Sequence, residues 1–295
     1  MKVLLTGASG LLGRAVMAKF IKNNFEIIGM AFSRASSPLH KVNLLENEAV
    51  IKFVMTHKPD IIIHSAAERR PEEVQKNPEK SKQLNVNSTD NIASICAASN
   101  ISLIYISTDY VFDGTNAPYE VNSKPNPINT YGELKLAGEE CVKAKEGLKW
   151  CILRVPVLFG RTEDLDESAV TILMKALKLS FLEKQMCKMN HIEKRYPTFC
   201  DDVAMFLLEI SNYLAEKPEG LGVLHFSGNE CMTKFEMVQR MARLKQISLD
   251  YIEPETVVST AVKRPYDCHL SMEKNELKLS IQQTPFDDAM SLLLG

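Results

Sequence analysis

The amino-acid sequence predicts an α/β protein in which helices cover both faces of a parallel sheet, followed by a smaller lobe. Three observations predict this fold. Short apolar runs recur through the first half of the chain, longer segments with helical patterning lie between them, and glycines cluster directly after the first run. Strands that are buried on both faces give continuous apolar runs, and their alternation with helices is typical of repeated βαβ units.

The predicted elements follow one another in order along the first half. The strands are predicted at residues 3–5, 26–32, 60–64, 103–107 and 151–155. Amphipathic segments at residues 11–21 and 85–98 are the helices predicted between them. We therefore predict a dinucleotide-binding domain over residues 1–155, built as a Rossmann-type doubly wound parallel sheet.

The pattern becomes less regular after Arg154. Residues 156–295 are predicted to form a smaller C-terminal lobe on the substrate side, while a segment at about 198–228 returns to the sheet. Because no low-complexity tract separates the two parts, we expect them to pack together with a cleft between them.

Composition excludes several classes of function. The chain has 295 residues, 45% of them hydrophobic and 24% charged, and its formal net charge is −2, which gives no general attraction to nucleic acid or to an anionic membrane. The seven cysteines are scattered without a CxxC pair, and the six histidines lack metal-ligand spacing. We therefore expect reduced thiols, no metal site, no membrane span and a cytoplasmic location.

The stretch "KVLLTGASGLLGRAV" is the first candidate binding site. It places Gly7, Gly10 and Gly13 after the first predicted strand and at the start of the first predicted helix. A phosphate can approach glycine backbone closely, and the helix N-terminus offers free N–H groups. The position between strand and helix matches a dinucleotide-binding turn, whereas the spacing alone would also suit close helix packing.

The end of the second predicted strand favours NADP over NAD. No Asp or Glu occurs in residues 29–39, while Ser33 and Arg34 are available to meet a 2′-phosphate. The alternative is that Arg34 is a solvated surface arginine. Arg69 and Arg70 follow the strand ending near Ser65. For these two arginines, as for Arg34, contact with a ligand and exposure at the surface are both open alternatives.

The segment "NTYGELKLAGEE" is the candidate chemical site. Tyr131 and Lys135 are four residues apart among good helix formers, so both side chains would lie on one helix face. A protonated lysine beside a phenol is expected to lower the pKa of the phenol. Tyr131 is therefore a candidate proton donor to a carbonyl oxygen that receives hydride.

The strand end at "YISTDYVF" would place hydroxyl groups beside this tyrosine. Ligands of open parallel sheets lie at the carboxyl ends of the strands, so Thr108 is predicted to hydrogen-bond a substrate oxygen, with Asp109 close by. The alternative is that the hydroxyls only cap the strand end or a turn.

Several motifs resemble those of the extended short-chain dehydrogenase/reductases. "TGASGLLG", "SAAE", "NVN", "ISTDYVFDG" and "YGELKLAGEE" occur here in the order of that group. The chain is similar to the dTDP-4-dehydrorhamnose reductases, a resemblance that implies a catalytic set of Thr108, Tyr131 and Lys135. It also implies that Lys135 bonds the nicotinamide ribose.

Longer phrases resemble the regulatory beta subunits of methionine adenosyltransferase. They are "AAERRPEEV", "DYVFDGTNAPY", "DESAVT", "RYPTF", "SGNECMTKFEM" and "QTPF". This resemblance implies NADP binding, a catalytic methionine adenosyltransferase subunit as partner, and regulation rather than catalysis.

An NADPH-dependent sugar reductase remains the alternative function, although "RPYDCHLS" has Asp267 and Ser271 where such reductases tend to have an amide and an acid. Because the chain ends at "SLLLG", without the aromatic tail of the beta subunits, we expect docking that is weaker or uses another surface.

The motifs and the resemblance together imply the candidate cofactor contacts. They are Thr6, Gly7, Ser9, Gly10, Leu11, Leu12, Gly13, Phe32, Ser33, Arg34, Asn43, Leu44, Ala66, Ala67, Arg69, Asn85, Tyr131, Lys135, Arg154 and Pro156.

Overall fold

A seven-stranded parallel sheet forms the centre of the computed structural model, which describes residues 1–217, 219–257, 262–273, 275 and 281–294. In chain order the strands are β1 (Lys2–Thr6), β2 (Glu26–Ala31), β3 (His40–Lys41), β4 (Ile61–His64), β5 (Ser102–Thr108), β6 (Trp150–Val155), β7 (Leu158–Phe159), β8 (Cys187–Asn190), β9 (Thr198–Phe199), β10 (Gly222–His225) and β11 (Ile252–Glu255). The sheet has the order β10-β6-β5-β4-β1-β2-β3, and the other strands form the pairs β7-β9 and β8-β11.

Helices connect the strands, and several of them cover the sheet. They are α1 (Leu11–Lys22), α2 (Asn47–His57), α3 (Pro71–Lys76), α4 (Pro78–Lys82), α5 (Ser88–Ser99), α6 (Thr130–Lys143), α7 (Thr171–Glu183), α8 (Cys200–Glu216), α9 (Lys234–Lys245) and α10 (Phe286–Leu294). A π-helical segment, Gln83–Asn87, joins α4 to α5. In the part of the chain that the structure describes, no helix combines the length and the apolar character that crossing a membrane requires.

The central strands of the sheet are buried on both faces, which confirms the predicted fold class. Val3 and Leu5 of β1 point into a core that includes residues of α1 and α8, whereas Leu4 between them points into the opposite core with residues of α2, α5 and α6. Successive side chains of a strand face opposite sides, so an apolar residue at every position is what two covered faces require.

The C-terminal half has a core of its own and also returns to the sheet. Phe159, Met174, Met241 and Phe286 bring β7, α7, α9 and α10 together in this core. Strand β10 pairs with β6 at the edge of the main sheet. Residues 218, 258–261, 274, 276–280 and 295 of the predicted lobe lie outside the described residues.

The strand order reverses beside β1. The chain proceeds from β1 to β2 and β3 on one side, then crosses to β4 on the other side, where Thr6 and His64 are partners in the parallel ladder. In open α/β sheets, ligands bind outside the carboxyl ends of the strands at this reversal. The fold therefore places a crevice beside the glycine-rich turn.

Candidate functional site

The glycine-rich turn between β1 and α1 has a backbone that side chains would obstruct. Gly7 has a φ of +69°, and a Cβ on it would lie 2.9 Å from the backbone nitrogen of Ala66. A Cβ on Gly13 would lie 2.2 Å from the carbonyl oxygen of Gly7. Neither position tolerates a side chain, and a helix N-terminus that follows such a turn is typical of sites where backbone N–H groups bind an anion.

A buried hydrogen-bonded chain fixes this turn to β4, and sequence reasoning did not identify it. The Oγ1 of Thr6 accepts bonds from the backbone N–H groups of Ser65 and Ala66 at 3.1 and 3.2 Å and lies 2.8 Å from Nδ1 of His64. The Nε2 of His64 lies 3.0 Å from the hydroxyl oxygen of Thr89. Burial lowers the pKa of His64 to about 3, with a further contribution from Lys135, so the ring is neutral near pH 7 and can accept from Thr6 while donating to Thr89.

A single cavity of about 840 Å³ contains most of the predicted site residues. A volume of this size lies within the usual range for ligand sites. The predicted residues that line it are Thr6, Gly7, Ser9, Gly10, Leu11, Leu12, Gly13, Phe32, Ser33, Arg34, Asn43, Leu44, Ala66, Ala67, Arg69, Thr108, Tyr131, Lys135 and Pro156. The structure thus brings the glycine turn and the Tyr131 segment to one space.

Two predicted cofactor contacts, Asn85 and Arg154, are not among the residues that line this cavity. The side chain of Asn85 is buried and exchanges two hydrogen bonds, 2.8 and 2.9 Å long, with the backbone of Glu68. Asn85 therefore fixes the segment that carries Ala66, Ala67 and Arg69. Arg154 points instead to a buried carboxylate behind the wall.

That carboxylate belongs to Glu139, and the pair is almost fully enclosed. The Nε and Nη2 atoms of Arg154 donate to the two carboxylate oxygens of Glu139 at 2.8 and 2.7 Å, and the Ser107 hydroxyl donates to the same group at 2.6 Å. Burial would raise the pKa of Glu139, but the hydrogen bonds and charge of Arg154 lower it below the ordinary value. The pair anchors α6, the helix that carries Tyr131 and Lys135, to strands β5 and β6.

Burial sets the acid–base properties of Tyr131 and Lys135. The ammonium of Lys135 donates to the carbonyl oxygen of Ile106 at 2.7 Å and lies 4.0 Å from the centroid of the Tyr105 ring. Burial lowers the pKa of Lys135 to about 7, against the opposing charge of Glu139. Burial also raises the pKa of Tyr131, and a hydrogen bond with Thr108 offsets only part of that rise. The pKa of Tyr131 is therefore raised, not lowered as the sequence led us to expect, because the loss of solvation, together with Asp109 and Tyr110, outweighs the Thr108 bond and the charge of Arg69.

Thr108 serves as a cap as well as a cavity residue. Its hydroxyl donates to Asp109 at 3.0 Å and accepts from the backbone N–H of Tyr110 at 3.2 Å, which caps the 3₁₀ turn Asp109–Val111. Burial raises the pKa of Asp109 to about 6, opposed by the charge of Arg195. The Thr108 hydroxyl thus caps the turn, and it also lies beside Tyr131 at the cavity.

The C-terminal lobe adds cations to the cavity wall that sequence reasoning did not assign to it. Arg195 is bonded to Glu193 at 3.0 Å and to the carbonyl oxygen of Pro265 at 3.0 Å. Lys234 has no hydrogen-bond or ion-pair partner among the described residues, and burial, together with Arg264, lowers its pKa. Arg195, Lys234 and Arg264 all occur in family phrases or beside a proline, but nothing local in the sequence indicates that they converge.

The arginines that were predicted to contact phosphates bind glutamate residues in this structure. Arg34 lines the cavity and forms ion pairs with Glu163, at 3.3 Å, and with Glu167. Arg69 also lines the cavity and donates to the backbone carbonyl of Glu167. Arg70 bonds the carboxylate of Glu68 at 3.0 Å and keeps an exposed side chain. Arg34, Arg69 and Arg70 thus all border the cavity, and the side chain of Arg34, although 47% exposed, is held there by ion pairs.

Comparison of the sequence with known proteins identifies its family and a close relative in sequence. The model of the RmlD substrate binding domain family matches residues 1–294. Methionine adenosyltransferase 2 subunit beta of Bos taurus is 41% identical over 286 residues, which cover 97% of this chain and 84% of that protein.

Two solved structures share the fold. The dTDP-4-dehydrorhamnose reductase of Clostridium acetobutylicum is 24% identical with a TM-score of 0.84 and covers 100% of this chain and 98% of its own. The dTDP-4-dehydrorhamnose reductase of Bacillus anthracis, solved in complex with NADP, is 23% identical with a TM-score of 0.82 and covers 99% of this chain and 98% of its own.

Proposed function

Since the chain belongs to the RmlD substrate binding domain family, and within it to the group of methionine adenosyltransferase 2 beta subunits, we propose that it is an NADP-binding regulatory subunit. It would modulate a separate methionine adenosyltransferase catalytic subunit, and so S-adenosylmethionine synthesis, without catalysing a reaction of its own. The observation that carries this proposal is 41% identity to a protein of that name along 97% of the chain.

The residues of the cavity fit NADP. Any side chain at Gly7 or Gly13 would obstruct the turn, which suits a pyrophosphate held against bare backbone at the N-terminus of α1. Ser33 and Arg34 would hold the 2′-phosphate, and Phe32, whose side chain is 54% exposed, would pack against the adenosine.

The nicotinamide end of the cofactor would lie toward α6 and the end of β5. When bound, NADPH supplies a hydride to a carbonyl, and Tyr131 and Thr108 line the cavity where such a carbonyl would bind. In a regulatory subunit the same side chains would hold the nicotinamide ribose and ring in place. Lys135 is fixed by its bond to the carbonyl of Ile106, so it can orient a ribose without a change of position.

Complex formation tests the regulatory proposal directly. The purified chain, mixed with a methionine adenosyltransferase catalytic subunit, is expected to co-elute with it and to change its KM for methionine. The catalytic subunit alone, with and without NADP, is the control. Absence of a complex at micromolar concentrations, which means a binding free energy weaker than about 8 kcal/mol, would contradict the proposal.

A second candidate function is NADPH-dependent reduction of a nucleotide-linked 4-keto-6-deoxy sugar. The observation that favours it is that Thr108, Tyr131 and Lys135 all line one cavity. Steady loss of the nicotinamide absorbance of NADPH, in the presence of dTDP-4-keto-6-deoxy sugar, would support this function if Tyr131→Phe abolishes the loss. No consumption by the wild-type chain, with NADP binding intact, would favour the regulatory subunit.

A further inference from the structure

An acidic segment borders the cavity that is proposed to bind the nucleotide. We call residues 161–168, which lie between β7 and α7, the strap; it includes the 3₁₀ turn Leu165–Glu167. Glu167 is the residue of the strap that lines the cavity, and its side chain is only 12% exposed. The strap therefore places a carboxylate at the wall of the cavity proposed for the cofactor.

This carboxylate is held by cations from the opposite half of the molecule. Arg14, in the first turns of α1, contacts the carboxylate through Nη2 at 2.5 Å and Nη1 at 3.3 Å. Arg34, just after β2, contacts Oε1, the carboxylate oxygen that Nη1 of Arg14 also contacts. The backbone N–H of Glu163 adds a bond of 3.0 Å. Charge-assisted bonds of this kind are the ones that a phosphate would also make.

Arg69 is drawn to the same point, since it donates to the backbone carbonyl oxygen of Glu167. Burial lowers the pKa of Arg69, and the charge of Arg34 contributes a smaller lowering. A second carboxylate of the strap, that of Glu163, is 62% exposed and lies 3.3 Å from Arg34 and 3.7 Å from Arg14. Glu167 is thus the principal counter-charge of the cluster.

We propose that Glu167 is a specificity-determining residue that competes with the 2′-phosphate of NADP for Arg34. This inference rests on the proposed binding of NADP. A 2′-phosphate can bind Arg34 only by displacing the Glu167 carboxylate or by accepting a like charge beside it, and both lower the affinity. NAD has a hydroxyl at that position and requires no such exchange. Glu167 therefore narrows the preference for NADP that Ser33 and Arg34 create.

Neutralising Glu167 tests the competition. The experiment compares the Kd values of NADP and NAD, measured by calorimetric titration, in the wild type and in Glu167→Gln. The matched control is Glu163→Gln, which removes the charge of a more exposed glutamate of the same strap. Glu167→Gln is expected to raise the ratio of NADP to NAD affinity by about threefold or more, the scale of one partly exposed ion pair. Glu163→Gln is expected to change the ratio less.

Two results would overturn the inference. A weaker affinity of Glu167→Gln for NADP would mean that Glu167 positions Arg34 for the phosphate, and an unchanged ratio would mean that the two anions do not compete. In both cases binding of NADP by the wild type keeps the proposed function intact. If the wild type binds neither nucleotide, the proposed function fails, and this inference fails with it.

Discussion

Two pairs of a glutamate and an arginine, one behind the cavity wall and one lining the cavity, differ in burial. Glu139 and Arg154 lie behind the wall with side chains 0% and 2% exposed, whereas Glu167 and Arg34 lie at the mouth with side chains 12% and 47% exposed. Removing one partner of a buried pair leaves a charge without compensation, but water or a ligand can replace a partner at the mouth. The comparison indicates that the inner pair maintains the fold and the outer pair is available for binding.

The largest effect is expected from breaking the inner pair. Arg154→Met leaves the Glu139 carboxylate buried with Ser107 and the more distant Lys143. We expect it to lower the free energy of unfolding by about 3–5 kcal/mol, measured by urea denaturation. Arg34→Met is the matched control at the mouth and should cost less than about 1 kcal/mol. Similar losses in the two variants would refute the distinction between the pairs.

The inner pair also predicts a dependence on pH. The pKa of Glu139 is lowered in the folded chain, so its contribution to stability is present above its unfolded pKa and is lost as pH falls through the folded value. The loss of stability on acidification should therefore be smaller in the double variant Glu139→Gln/Arg154→Met than in the wild type.

The glycine turn, like the inner pair, is expected to be sensitive to substitution. In Gly13→Ala the new Cβ would lie 2.2 Å from the carbonyl oxygen of Gly7, whereas in Gly10→Ala the nearest contact is 3.1 Å. We expect Gly13→Ala to cost about 1–3 kcal/mol of stability and to abolish NADP binding in calorimetric titration. Gly10→Ala should keep most of its stability. An unaltered NADP affinity in Gly13→Ala would mean that the pyrophosphate does not lie against this turn.

Lys135 is a buried cation, and its lowered pKa predicts that the stability of the chain depends on pH above neutrality. Its pKa falls to about 7 in the folded chain from an ordinary value of 10.5, so the unfolded chain binds more protons between these values. Stability should therefore rise with pH through that window, by on the order of 1 kcal/mol per pH unit at most. Lys135→Met should abolish this rise in denaturation experiments across the window. A rise that persists in the variant would assign it to another group.

The smallest effect on stability is expected at Arg34, where the effect on binding should instead be selective. Arg34→Ala removes one contact to the 2′-phosphate, and we expect about a tenfold loss of NADP affinity. NAD affinity should change far less, since NAD lacks that phosphate. Thermal shift measurements with each nucleotide provide the check. Equal losses for the two nucleotides would show that Arg34 does not face the 2′-phosphate.

Features that depend on neighbours in the sequence could be predicted. The strands of the sheet appear as continuous apolar runs, and the turn from Gly7 to Gly13 needs only a strand before it and a helix after it. Tyr131 and Lys135 are one helical turn apart, so their common position at the cavity also follows from local spacing. These parts of the fold and site were accessible because a local pattern determines each of them.

Features that depend on distant partners could not be predicted. Glu167 is 133 residues from Arg34, and neither residue carries a local signal of the other. Arg154 was predicted as a cofactor contact from the motifs and the resemblance, but its side chain turns to Glu139 on α6. The raised pKa of Tyr131 follows from burial, which only the packed structure reveals.

The most direct test of the account is a crystal structure of the chain bound to NADP. The account predicts the pyrophosphate against the backbone of residues 7–13, the 2′-phosphate at Arg34 in place of the Glu167 carboxylate, and the nicotinamide ring beside Thr108 and Tyr131. A pyrophosphate bound elsewhere, or a nicotinamide ring remote from those two hydroxyls, would contradict it.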